Sequence, residues 1–220
     1  MQQISATRSE SQILATNKVL RSTYALLSMT LLFSAATAGI SMVMNLPPFN
    51  PILTLVGYFG LLFATTKFRN SGLGILFVFM LTGFMGLTLG PILNFYLATA
   101  NGSQLVMTAL GGTGVIFLAL SGYALTSRKD FSFMGGFLMV GVLVAFLGGI
   151  AAMIFSMPLM SLAVSGMFVL LMSGMILYQT SEIIHGGETN YIMATVTLYV
   201  SIYNLFLSLL HLLTAFSGDD

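Results

Sequence analysis

The sequence predicts an all-α membrane protein with seven transmembrane helices, and three observations predict it. The first is the spacing of charge. No Asp, Glu, Lys or Arg falls in the 45 residues between Arg21 and Lys67, the 58 between Arg69 and Arg128, or the 51 between Asp130 and Glu182. A last gap of 30 residues separates Glu188 from Asp219. A spanning helix needs about 20 apolar residues, so each of the first three gaps holds two spans and a turn, and the last holds one. The second is composition: 57% of the 220 residues are hydrophobic and 6% are charged, against about 25% charged in ordinary soluble domains. The third is the placement of basic residues, all seven of which lie in the N-terminal segment or in the loops after the second and fourth spans.

The elements follow in order. Helices are expected at 23–44, 51–66, 72–97, 105–126, 133–156, 160–181 and 191–214. The first apolar run is long enough to span and follows a polar segment with Arg8, Glu10, Lys18 and Arg21, so it reads as a retained helix rather than a signal core. Leu46-Pro47-Pro48-Phe49-Asn50-Pro51, Ala100-Asn101-Gly102-Ser103-Gln104 and Ser156-Met157-Pro158 supply breaker chemistry for three uncharged turns. The basic loops, with Lys67, Arg69, Arg128 and Lys129, are placed in the cytoplasm by the positive-inside rule. Seven-helix parity then sends the C-terminus to the outside, unless the last helix is re-entrant. The expected organisation is a polar N-terminal tail at 1–22, disordered or loosely helical, a membrane domain at 23–216 and an acidic tail at 217–220.

Composition also excludes. With no cysteine, thiolate metal sites, disulfides and thiol nucleophiles are absent. A net charge of +1 does not suggest a nucleic-acid partner. No Ser-His-Asp set, carboxylate pair within a span or His-Glu-x-x-His motif supports catalysis, and no cofactor is called for. Gly111-Gly112-Thr113-Gly114 lies in an apolar span with no following Lys, so close helix packing is expected there rather than a phosphate cradle. Gly86 and Gly90 form a Gly-x-x-x-Gly pair with the same reading.

The sharpest internal pattern is in the last helix. Thr197, Ser201, Asn204, Ser208 and His211 recur at spacings of 4, 3, 4 and 3, which places five polar groups on one helical face. Polar side chains in a membrane helix face protein or a water-filled cavity, so this helix is expected inside the other six. The stripe reads either as interhelical hydrogen bonding or as a transport path. His211 could sense pH or serve as a hydrogen-bonded interface residue. Glu182 and His185 have the Glu-x-x-His spacing of helical metal sites. No second pair exists to complete one, so Gly186-Gly187 reads better as a helix stop.

Four stretches carry a family resemblance: Gly90-Pro91-Ile92-Leu93-Asn94, Arg128-Lys129-Asp130-Phe131-Ser132-Phe133, the ten residues from Ile183 to Ile192, and the nine from Leu198 to Phe206. From about Asn17 to its end the chain resembles the Bax inhibitor-1 family, in its bacterial YccA-like branch. The resemblance implies a seven-helix fold with the last helix central. It implies two kinds of function: modulation of the inner-membrane AAA protease FtsH and its HflK–HflC partners, and a pH-sensitive calcium leak. Leak-type members share a proton between two aspartates. The matching positions here are Gln179 and Ser201, and neither can ionise. Glu182, one turn from Gln179, is a single carboxylate and does not make a coupled pair.

Overall fold

The computed structural model describes residues 2–217, with side chains from Leu14 onward. The Asp219-Asp220 pair lies outside the described residues. Seven α-helices follow one another: α1 (Gln2–Val43), α2 (Pro51–Phe68), α3 (Gly72–Leu97), α4 (Gly102–Ser127), α5 (Gly135–Ile154), α6 (Pro158–His185) and α7 (Tyr191–Ser217). A 3-10 turn over Ser132–Met134 leads into α5. Each helix is long and apolar enough to cross a membrane.

The largest departure from expectation is α1, which begins at Gln2 rather than near residue 23. The expected disordered or loosely helical tail is continuous helix. No Gly or Pro occurs before Gly39, and Gln, Ala, Arg, Glu and Leu are good helix formers, so nothing interrupts propagation from the apolar part. At its far end α1 closes with Asn45 at φ 49°: Asn45 N–H donates to Met42 O and Leu46 N–H to Ser41 O. The same pair of bonds recurs after α5 around Ser156 (φ 49°) and after α6 around Gly186 (φ 78°). These are Schellman motifs, which satisfy terminal carbonyls through one left-handed residue. The reading of Gly186-Gly187 as a helix stop is thereby borne out.

The chain forms two compact units, Met1–Asn94 with Glu182–Tyr199, and Phe95–Ser181 with Val200–Asp220. In the first unit α1 and α3 pack through glycines. A Cβ on Gly86 would collide with Ser34 O and Thr37 Oγ1, and one on Gly90 with Ser41 Oγ and Cβ. Close approach explains this Gly-x-x-x-Gly pair. Beside it, Pro91 lies inside α3 and has no N–H to offer the carbonyl four residues back, at Leu87. Ser41 Oγ donates to that carbonyl instead, at 2.8 Å. Asn94 Nδ2 then donates to Met42 O at 3.2 Å.

In the second unit α5 and α6 interlock by exchanging notches. Leu171 sits over Gly141, where a Cβ would meet Cδ2 at 2.5 Å, and Leu138 sits over Gly174, at 2.8 Å. The glycine cluster in α4 behaves otherwise. Nothing lies within 4 Å of where a Cβ on Gly111 or Gly114 would stand, and one on Gly112 would meet only Leu209 Cδ1, at 3.6 Å. The expected close packing at Gly111 and Gly114 is therefore corrected: both glycines turn outward.

The spans differ in enclosure. Half of the most apolar stretch of α7 is buried, against 6–39% in the other six. α2 is the extreme opposite, with Thr65 its one buried residue. α7 is unbroken over 27 residues, about 40 Å at 1.5 Å per residue. It shows no break of the kind a re-entrant segment needs.

Candidate functional site

In the second unit the polar residues of α6 and α7 separate into distinct environments. Ser201 and Ser208 are buried, while Asn204 and His211 are half-buried. Asn204 Nδ2 donates to Val200 O of its own helix at 2.8 Å, so part of its capacity is absorbed locally. His211 Nδ1 pairs with Ser165 Oγ of α6 at 2.8 Å, and Ser165 also donates to Ser161 O at 3.0 Å. A hydroxyl has one proton. When Ser165 gives it to Ser161, Nδ1 of His211 must be the protonated nitrogen. His211 is thus a hydrogen-bonded tie between two helices.

Gln179 on α6 is 5% exposed, and its Nε2 has no hydrogen-bond partner among the described residues. Its neighbour Thr180 is better satisfied, donating to Ile176 O at 2.8 Å and lying 3.3 Å from Ser121 Oγ of α4. Gln179 and Ser201 are both buried, and neither can carry charge. Thr197, the first member of the stripe, belongs to the first unit and is half-buried.

The first unit contains the loop from α6 into α7. Glu182 is half-buried, and a Cβ on Gly187 would collide with its carboxylate. A larger residue there would require the carboxylate to shift. Glu188 Oε1 accepts the Asn190 N–H at 2.7 Å. Asn190 does two jobs. Its Oδ1 accepts from the Ile192 and Met193 N–H groups at 3.0 and 3.1 Å, capping α7. Its Nδ2 donates to Arg69 O at 3.0 Å and Asn70 Oδ1 at 2.9 Å, fastening the loop after α2. Among the described residues no group of three or more His, Cys, Asp or Glu is placed to hold a metal ion, and His185 is exposed.

Two further α7 residues tie it to the rest of that unit. Thr195 Oγ1 donates to Thr23 O of α1 at 3.3 Å. Tyr199, 1% exposed, donates to Thr82 O of α3 at 3.3 Å and shares a 2.5 Å hydrogen bond with Ser34 Oγ of α1. A buried tyrosine hydroxyl needs such partners.

The basic loop residues Lys67, Arg69, Arg128 and Lys129 are exposed. Arg128 takes the left-handed conformation at the end of α4, with φ 50°. Ser181 at the base of α6 then holds the loop: its Oγ accepts from Phe131 N–H at 2.9 Å and donates to Lys129 O at 3.2 Å.

The polar stripe includes none of Asn190, Tyr199 and Ser181. Asn190 stands outside the helix, and Tyr199 faces away from the stripe. Ser181 acts on a loop fifty residues away. The one sequence signal for Asn190 is its position directly before an apolar run, a helix-start signature.

The profile of the family described as "Inhibitor of apoptosis-promoting Bax1" matches residues 16–218. The chain is 52% identical over 216 residues to "Modulator of FtsH protease YccA" of Escherichia coli K12, covering 98% of each chain. The same identity and coverage hold for "Inner membrane protein YccA" of Escherichia coli O6:H1. A membrane protein of Vibrio cholerae is 43% identical, over 97% of this chain and 96% of its own. The Pro91 clamp, the Glu182–Asn190 loop and the enclosed last helix are thus features of a multi-pass membrane protein that belongs to the Bax inhibitor-1 family.

Proposed function

We propose that this chain is a non-enzymatic inner-membrane protein that restrains an FtsH-type AAA protease in membrane-protein quality control. The observation that carries the reading is its 52% identity, over 98% of both chains, to the protein named as modulator of that protease. The fold supplies a rationale. α1 begins at Gln2, well before its charge-free apolar run, which starts after Arg21, and this extension is the handle a pulling protease would grip. Beyond it, α1 is held by Thr195 at Thr23, Tyr199 at Ser34, and the Ser41–Leu87 bond. Extraction must break these ties, so the chain occupies the protease longer than a loosely packed client. The N-terminus is cytoplasmic in this reading, the C-terminus periplasmic, and the HflK–HflC regulators share the complex.

The test is turnover by purified FtsH in proteoliposomes. The full chain should be degraded slowly and should slow degradation of a second membrane substrate. Deleting residues 2–15 should abolish both effects while leaving the helical content and melting of the remaining domain intact. Unchanged turnover after deletion would remove the extension as handle. Absence of any effect by the full chain on the second substrate would remove the function. The alternative of a pH-sensitive calcium leak is weakened by Gln179 and Ser201, which place non-ionising groups where it needs a carboxylate pair.

A further inference from the structure

The first unit gathers four cations at one depth of the chain, a feature the proposed protease role does not use. α1 and α7 run in the same direction, because Thr23 meets Thr195 and the later Ser34 meets the later Tyr199. Asn190 lies five residues before Thr195, and Lys18 lies five before Thr23. At about 1.5 Å per residue, both stand about 7.5 Å back from that contact. Asn190 Nδ2 is bonded to Arg69 O, so Lys18 and Arg69 share a level. Arg21 is within one turn of Lys18 on α1, and Lys67 is two residues from Arg69 at the end of α2.

All four side chains are exposed. Among the described side chains of the same unit, the two carboxylates both belong to the end of α6 and the loop from it into α7. Glu188 accepts the Asn190 N–H, and Glu182 lies against Gly187. At this level the charge-free run of α1 begins after Arg21, that of α2 ends before Lys67, and α7 starts at Tyr191, as expected where a spanning segment meets the phospholipid headgroups. Charge complementarity at that depth names the occupant.

We propose that Lys18, Arg21, Lys67 and Arg69 form a headgroup site for anionic phospholipid in the leaflet at that end of the chain. Arginine forks suit phosphate oxygens in bidentate fashion, and lysines supply point charge. Each Lys or Arg near an anionic surface strengthens attachment about fivefold.

The experiment is native mass spectrometry of the full chain, purified in neutral detergent and offered equal amounts of phosphatidylglycerol and phosphatidylcholine. The wild type should retain phosphatidylglycerol in preference by more than about tenfold. The variant K18Q/R21Q/K67Q/R69Q should fall to near parity, while R128Q/K129Q, which removes two charges from the other unit, should keep the preference. Equal retention of both lipids by the wild type, an unchanged preference in the quadruple variant, or an equal loss in R128Q/K129Q would each overturn the site. Inorganic phosphate in excess should not displace the lipid. Full displacement would assign the site to a free anion instead. If the quadruple variant does not fold by circular dichroism, K18Q/R69Q carries the same test, with a loss of at least about fivefold expected and no loss overturning the site.

Discussion

Ser41 and Pro91 illustrate how a single residue choice in one helix creates an obligation in another. Pro91 removes the N–H that would have served Leu87 O, and Ser41 serves it from α1 at 2.8 Å. Removing Ser41 alone leaves a carbonyl orphaned inside the protein, at a cost of about 1–3 kcal/mol. In a Pro91→Ala background the α3 backbone can serve Leu87 itself, so Ser41→Ala should cost less there. A double-mutant cycle of unfolding in detergent measures the difference, expected at about 1 kcal/mol. Equal costs in the two backgrounds would show that Ser41 does not compensate for the proline. Gln179 presents the opposite case, a buried amide with an unmatched Nε2. Gln179→Met, similar in shape and without donors, should leave the melting temperature unchanged or raise it.

At the scale of elements, the spans were legible because lipid imposes one rule on all of them: every charge must lie at an end. Expected and observed boundaries agree for α3 at both ends and for α2 at its start. α6 runs on to His185 because Glu182 and His185 continue the helical turn until Gly186 supplies a positive φ. Less legible was what each element touches. Gly86 and Gly111 look alike in sequence. One sits under Ser34 and Thr37, the other faces open space, and only tertiary packing decides that. The α7 start depends on Asn190, which serves two elements at once. Asn190→Asp should keep the cap and lose the two bonds to Arg69 and Asn70, whereas Asn190→Ala should lose both. Thermal unfolding should rank wild type above Asp above Ala, with Ala destabilised by about 1–2 kcal/mol. Equal stability of Asp and Ala would mean the cap contributes nothing.

For the whole molecule, seven-helix architecture and family membership were readable from charge gaps and four short stretches, while the polar stripe was readable only as a pattern. Spacing puts Thr197, Ser201, Asn204, Ser208 and His211 on one face. It does not reveal that Asn204 bonds to its own backbone or that His211 bonds to Ser165. Those bonds favour packing over conduction. Purified wild type in proteoliposomes should therefore pass no calcium above empty vesicles between about pH 6 and 8, since Gln179 and Ser201 offer no carboxylate pair to share a proton. The Gln179→Asp/Ser201→Asp variant tests whether the scaffold can still host a gate. Calcium flux through the wild type would restore the leak reading.

The Ser41–Pro91 bond also constrains the order in which the sequence can change. A lineage that loses the hydroxyl first passes through an intermediate with an unserved carbonyl. One that first loses the proline passes through an intermediate in which the carbonyl is served twice over. Drift away from this pair should therefore proceed through position 91 before position 41, a historical direction written into one hydrogen bond.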